Sequence, residues 1–166
     1  MHFRKWLETG DLNGYSTDIG DDLLYRKPLP ENLFGIKEGV DLKRGSSIIF
    51  TDGKSMLLLK RSDDSGNPKT WGLPGGHWES GESAIETARR ESMEEIGCVK
   101  GKKIGKSKDK DWTTYYFKVK SLFTCKLNSE HTAWKWVKIQ DLKKFKLHPC
   151  LERHIEEHAS FISSCL

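Results

Sequence analysis

Residues 83–96 have the clearest helix boundaries in this chain, so they constrain its fold more than any other segment. Ser83 and Glu86 have the spacing of a capping box, in which each side chain satisfies a backbone N–H group at the start of a helix. Gly97 follows directly and is suited to end the helix in the left-handed conformation. The sequence therefore predicts a helix over residues 83–96, against which other elements must pack.

Three glutamates lie close together near the end of the predicted helix. At 100° per residue, Glu91, Glu94 and Glu95 fall within an arc of about 100°. Carboxylates at this spacing repel each other, and the negative end of the helix dipole disfavours them further. A hard cation such as Mg²⁺ would offset that cost, because it binds carboxylate oxygens together with substrate phosphates. The other interpretation is a solvated acidic face, which is common on helices.

Segments with strand-like composition lie on both sides of the predicted helix. Two apolar runs flank Asp52-Gly53, which is a strong hairpin signal. After the helix, residues 112–119, 122–127 and 133–137 are predicted as further strands. From Pro149 onward, apolar residues recur at helical spacing and predict a terminal helix. Strands around one central helix indicate an α/β fold, a sandwich with a mixed β-sheet.

The length of 166 residues fits one domain with an additional arm. Glycines and prolines interrupt residues 1–45, which we predict to be an N-terminal arm, an extra sheet element or a dimer contact. Residues 46–166 are predicted to form the domain itself. No apolar run approaches the ~18 residues needed to cross a bilayer, and the N-terminus has no signal-peptide core. We therefore expect a cytoplasmic protein without a membrane partner, with a homodimer left open.

The predicted helix is part of a longer motif. Residues Gly76 to Cys98 match the pattern G-x5-E-x7-R-E-U-x-E-E-x-G-U, in which U is an apolar residue. The seven fixed positions are occupied by Gly76, Glu82, Arg90, Glu91, Glu94, Glu95 and Gly97. Ser92 departs from the pattern at the first apolar position, which affects packing there rather than the carboxylates. On this motif the chain resembles the Nudix hydrolases, and the resemblance extends over roughly residues 46–162.

The resemblance implies a Nudix-type α/β/α sandwich that holds divalent cations against a pyrophosphate. Glu91 and Glu95 match the main metal-ligand positions, and Glu94 matches a further ligand or a water-orienting position. The carbonyl oxygen of Gly76 matches a backbone ligand. The implied cofactor is Mg²⁺, with Mn²⁺ as an alternative. No histidine belongs to a metal-ligand pattern, so all 6 are treated as non-ligands.

The resemblance also assigns roles beyond metal binding. Glu82 and Arg90 match a pair that braces the loop against the helix. Family members take their general base either from the motif or from a separate loop. Glu94 is therefore the first candidate, Glu130 the second and Glu79 the third.

The implied substrate is a nucleoside diphosphate linked to a further group. Tyr115 and Tyr116 lie 17 and 18 residues beyond Cys98, where the enzymes that cleave dinucleoside polyphosphates tend to have a tyrosine. One of them is predicted to stack on a base, so dinucleoside polyphosphates are the favoured substrate. The alternative is a MutT-type nucleoside triphosphate pyrophosphohydrolase, which the Gly75-Gly76-His77 opening resembles.

Charge is unevenly distributed along the chain. Residues 100–146 carry a net charge of +10 and the remaining residues −6, which together give the overall +4. The lysines after the motif are consistent with an enzyme that acts on an RNA 5′ end, as a pyrophosphohydrolase or decapping enzyme. The other interpretation of this run is a solvated, mobile loop. A Nudix-like domain that senses nucleotides without cleaving them is the non-enzymatic alternative, although a binder has no need of repelling carboxylates.

Overall fold

The fold was analysed in a computed structural model, which describes residues 44–160 and 162. The strands are β1 (Gly45–Thr51), β2 (Ser55–Arg61), β3 (Trp71–Gly72), β4 (Gly75–His77), β5 (Lys102–Asp109), β6 (Trp112–Lys118) and β7 (His131–Lys138). The helices are α1 (Ala84–Ile96) and α2 (Pro149–Glu157), with a 3₁₀ helix at Ile139–Lys144. The predicted arm, apart from its last two residues, lies outside the described residues.

The sheet is mixed, as predicted. β1 runs parallel to β6, and the other paired strands are antiparallel. β1 and β2 form the predicted hairpin but pair only where Thr51 meets Met56, and beyond that point they diverge. β3 pairs with β2 and β4 pairs with β1, so residues 71–77 fill the space between the diverging strands. We call residues 71–77 the wedge, and they place the glycines of β4 in the middle of the sheet.

Each face of the sheet carries its own hydrophobic core. Alternation along β1 sends Ile48 and Phe50 towards α1 and Ile49 towards the opposite face. The second face is covered by the 3₁₀ helix and α2, through Leu142 and Leu151. The predicted α/β/α sandwich is therefore confirmed.

The boundaries of α1 follow the local signals in the sequence. Ser83 is the N-cap and forms the predicted capping box with Glu86, whose carboxylate accepts a hydrogen bond from the Ser83 N–H at 2.8 Å. Gly97 ends the helix in the left-handed conformation, with φ of 74°. The predicted helix is thus confirmed, because both of its ends are determined by residues within or next to it.

The strand predicted over residues 122–127 is wrong, since this segment joins no ladder of the sheet. It docks on the C-terminal end of α1, where the Lys126 N–H donates to the Ile96 carbonyl at 3.0 Å and the Asn128 N–H to the Glu95 carbonyl at 3.3 Å. The last carbonyls of a helix lack partners within the helix. These carbonyls accept hydrogen bonds from the segment, and the Phe123 side chain packs in the core beneath α1.

The interpretation of the lysine run as a loop is also wrong, because residues 102–109 form β5, which among the described strands pairs only with β6. Exposed and half-buried positions alternate along the strand, and Lys102, Lys106 and Lys108 are on the exposed positions. Lysines are common on edge strands, where their charge opposes pairing with a second sheet.

The predicted terminal helix is confirmed as α2, and residue 162 is again helical. Leu151 and Ile162 are buried in the second core, as their spacing predicted. Within the described part of the chain, neither helix has the length and apolar character needed to cross a membrane.

Candidate active site

Glu95 is the most deeply buried carboxylate of the motif, with 3% of its surface exposed. Its Oε2 accepts a hydrogen bond from the Gly75 N–H at 2.8 Å, so the helix and the wedge meet at this side chain. Burial raises the pKa of Glu95 well above its usual value, and the charges of Glu91 and Glu130 add to the rise. Two groups act in the other direction, the Gly75 N–H and the guanidinium of Arg61.

Glu91 lies one helical turn earlier, directly against the backbone of Gly76. A Cβ atom at position 76 would lie 2.4 Å from the Glu91 carboxylate, so only glycine allows this approach. Burial also raises the pKa of Glu91, opposed by Arg90 and supported by the charges of Glu94 and Glu130. Glu91 and Glu95 therefore converge on the Gly75-Gly76 backbone.

Arg90 connects the loop before α1 to the acidic face of the helix. Its Nε donates to Glu82 Oε1 at 2.8 Å, and its Nη2 donates to the His77 carbonyl at 2.9 Å. Its Nη1 lies 2.8 Å from Glu91 Oε1 and 3.1 Å from Glu94 Oε2. Burial opposes the charged form, but the hydrogen bond to Glu82 and the charges of Glu91 and Glu82 outweigh it and raise the pKa of Arg90. This geometry is that of a brace between loop and helix.

The three candidates for the general base differ in their surroundings. The Glu94 carboxylate is half-exposed and already accepts from Arg90. Glu130 is exposed in the turn before β7, near enough to Glu91 and Glu95 for its charge to raise the pKa of both. Glu79 is exposed in the loop, 3.9 Å from Arg90 Nη1. Glu130 is therefore brought to the motif by the fold, 35 residues after Glu95 in the chain.

Neither tyrosine predicted to bind substrate is available to stack on a base. Tyr115 is 3% exposed in the core beneath α1, and Tyr116 is 1% exposed on the opposite face. The Tyr116 hydroxyl lies within hydrogen-bond distance of Ser107 Oγ at 3.1 Å and His154 Nε2 at 2.8 Å. Both rings occupy packing positions, which argues against the role that their spacing suggested.

The donors at this site fit a hard divalent cation. Within residues 44–160 and 162, no three His, Cys, Asp or Glu side chains form a ready-made metal cage. Mg²⁺ does not need one, since it usually keeps several waters and takes one or two carboxylates together with substrate phosphates. Two carboxylates, the buried Glu95 and the partly buried Glu91, beside the Gly76 backbone meet that requirement.

The model of the NUDIX domain family matches residues 41–158, which is most of the chain. The chain belongs to the Nudix family. It is a Nudix hydrolase, a pyrophosphohydrolase that acts on nucleotide derivatives, as the sequence predicted.

Similarity to individual Nudix proteins is moderate. A nucleoside triphosphatase, NudI of Escherichia coli strain SE11, is 32% identical over 124 residues, which cover 61% of this chain and 84% of the relative. The solved structure of a MutT protein from Methanosarcina mazei is 27% identical, with a TM-score of 0.56 over 70% of this chain and 91% of that one. An Ap4A hydrolase from C. elegans, 22% identical, shares the fold with a TM-score of 0.58 over 73% and 99%.

Two residues of this Nudix site escaped prediction from the sequence. Arg61, at the end of β2, acts electrostatically on Glu95. His131, at the start of β7, has its Nε2 3.9 Å from Glu95 Oε1, and burial lowers its pKa to about 4. Neither belongs to the motif, and the irregular pairing that brings them together has no signature in the sequence.

Proposed function

We propose that this Nudix hydrolase cleaves a phosphoric anhydride bond of nucleoside triphosphates and depends on Mg²⁺, with Mn²⁺ as an alternative. The observation that carries the proposal is the convergence of Glu91 and Glu95 on the Gly75-Gly76 backbone, next to Glu130. The similarity to a nucleoside triphosphatase supports the substrate class.

Glu91, Glu95 and the carbonyl oxygen of Gly76 are the residues that would hold the cation. When bound, Mg²⁺ neutralises phosphate charge and makes water a better nucleophile. Arg90 keeps Glu91 and Glu94 oriented, since its guanidinium contacts both carboxylates while Glu82 anchors it. Phosphoryl transfer depends mainly on positioning and electrostatic stabilisation, and this brace supplies the positioning.

Glu130 is the general base in this proposal, although the sequence favours Glu94. The Glu94 carboxylate already accepts a hydrogen bond from Arg90, which holds it on the guanidinium and leaves it less free to turn towards an attacking water. Glu130 takes a proton from the attacking water while the water oxygen bonds to phosphorus and the anhydride P–O bond breaks. We expect Glu130→Gln to reduce kcat by roughly 100-fold or more and Glu94→Gln by less, as measured over a full pH profile. The reverse order would assign the base to Glu94.

Dinucleoside polyphosphates, which the sequence favoured, are the second candidate substrate. Their support was the spacing of Tyr115 and Tyr116, and burial of both rings removes it. RNA with a 5′-triphosphate also belongs in the comparison, because the exposed lysines of β5 would attract a polyanion.

Turnover of matched substrates tests the proposal. Purified protein is given nucleoside triphosphates, diadenosine polyphosphates, ADP-ribose and 5′-triphosphate RNA, each with Mg²⁺, with Mn²⁺ and with chelator. We expect the highest kcat/KM for nucleoside triphosphates and no turnover with chelator. A higher kcat/KM for another substrate would show that nucleoside triphosphates are not the preferred substrate. Nucleotide binding without turnover of any substrate would favour a sensing domain.

A further inference from the structure

A β-bulge interrupts the pairing of β2 with β7 at the edge of the active site. Lys60 pairs with Ala133, but the next residue, Arg61, pairs with His131. Thr132 is therefore an extra residue in β7 without a partner in β2. Bulges of this kind bend a strand and change the direction in which a side chain points.

The bulge decides which face of the sheet receives His131. Leu59 pairs with Trp134, and both side chains pack in the core beneath α1. Because side chains alternate along β2, Arg61 lies on the same face as Leu59, and a paired residue shares the face of its partner. His131 therefore lies on the α1 face, where an unbulged ladder would have placed Thr132.

On that face His131 meets Glu95. Its Nε2 lies 3.9 Å from Glu95 Oε1, and its side chain is 2% exposed. The other carboxylate oxygen accepts from the Gly75 N–H, so the carboxylate lies between the wedge and the imidazole. Among residues 44–160 and 162, His131 Nδ1 has no hydrogen-bond partner. The tautomer with its proton on Nε2 presents a donor to the carboxylate, whereas the other tautomer would present a lone pair.

We propose that His131 is a positioning residue, which the bulge at Thr132 turns towards Glu95 so that its Nε2–H dipole, at 3.9 Å and thus beyond hydrogen-bond distance, orients this carboxylate electrostatically for the cation. The inference rests on the proposed function, because it assumes that Glu95 binds the metal. It extends the site beyond the motif to a strand that contributes no residue to the motif itself.

Metal binding without substrate gives the direct test. Mn²⁺ affinity is measured by electron paramagnetic resonance for wild type, His131→Leu and Glu156→Gln, and thermal unfolding is followed in parallel. We expect His131→Leu to bind Mn²⁺ about 10–100-fold more weakly, as is typical when a partner of a metal ligand is lost. Glu156→Gln changes an exposed residue of α2 and is expected to bind like wild type.

Two polar variants separate positioning from packing, and they keep the test valid if leucine destabilises the fold. In His131→Gln the amide nitrogen reaches the position of Nε2, whereas in His131→Asn it reaches only that of Nδ1. We expect the glutamine variant to retain Mn²⁺ affinity within about threefold and the asparagine variant to lose as much as leucine. Equal affinities in the two would overturn the inference.

The outcomes also separate this inference from the proposed function. If wild type binds Mn²⁺ and all His131 variants bind equally well, only the role of His131 is wrong. If wild type itself fails to bind Mn²⁺, and turnover proceeds with chelator, then both the proposed metal site and the role of His131 that depends on it are wrong.

Discussion

A buried carboxylate such as Glu95 destabilises a fold unless its charge is compensated. In this chain the Gly75 N–H supplies one hydrogen bond, and the fold adds the charge of Arg61. The remaining cost is consistent with a cation as the missing partner. Gly76 serves the same arrangement, because its lack of a side chain lets the backbone reach Glu91.

Replacing Glu95 by glutamine keeps the shape of the side chain and removes its charge. We expect Glu95→Gln to lower Mg²⁺-dependent kcat by at least about 100-fold, the upper end of what losing an outer partner costs. The melting temperature is expected to stay the same or rise, since a buried charge is removed. Glu156→Gln, on the exposed side of α2, is the matched control. Near-normal turnover of Glu95→Gln would remove Glu95 from the ligand set.

Adding one methyl group at Gly76 tests the close approach. In Gly76→Ala the new Cβ overlaps Glu91, so we expect the carboxylate to move and Mn²⁺ affinity to fall by at least about 10-fold. In Gly72→Ala the nearest atom, His148 Cβ, lies at 3.8 Å, and we expect little change. Metal titrations of the two variants make the comparison, and equal affinities would contradict the steric argument.

At the scale of elements, α1 is held at both ends by different means. Its start is fixed locally by the capping box, whereas its end depends on Gly97 and on the segment that donates to its last carbonyls. A Cβ at Gly97 would lie 3.3 Å from Lys126 Cβ, so the glycine also allows this segment to approach. Helix α1 is thereby attached to residues 123–128.

Alanine at two glycines with positive φ separates backbone strain from crowding. Gly97→Ala introduces both, whereas at Gly81, with φ of 84°, a Cβ meets nothing within 4 Å. We expect Gly81→Ala to lower the free energy of unfolding by about 1 kcal/mol and Gly97→Ala by about 2 kcal/mol, measured in urea. If Gly97→Ala cost no more than Gly81→Ala, docking of the segment would tolerate the extra methyl group.

Across the whole molecule, a buried polar contact joins the C-terminal helix to the sheet. His154 in α2 meets the Tyr116 hydroxyl at 2.8 Å, and its ring lies 4.6 Å from that of His158. Burial and then the charge of His158 lower the pKa of His154 to about 4, and Asp109 opposes the shift. Protonation of His154 therefore works against docking of α2.

Acid should weaken the fold through this contact. Between about pH 6.5 and pH 4 the unfolded chain binds a proton at His154 that the folded chain does not, so stability falls as pH falls. The loss from His154 is on the order of 3 kcal/mol between pH 7 and pH 4. Urea unfolding of wild type and His154→Gln at several pH values measures it, because other titrating groups cancel in the difference. Parallel curves for the two proteins would exclude His154 as the cause.

The sequence by itself determined the features whose causes are local. The bounds of α1, the hairpin around Asp52-Gly53 and the spacing of the motif carboxylates all depend on neighbouring residues, so they were readable in advance. The mixed sheet followed from the order of strands and helix. These elements were sufficient to identify the family.

Tertiary structure decided what depends on contacts between distant residues. Residues 122–127 pack against the end of α1, because the last carbonyls of a helix need hydrogen-bond donors. The lysine-rich residues 102–109 form a strand because they pair with the side of β6 that faces away from β1. Composition placed Tyr115 and Tyr116 in a strand, and their spacing from the motif suggested a role in base stacking, but neither revealed that both faces of that strand are buried. His131 reached Glu95 only through a one-residue bulge, because such a shift exchanges the two faces of a strand without altering its composition.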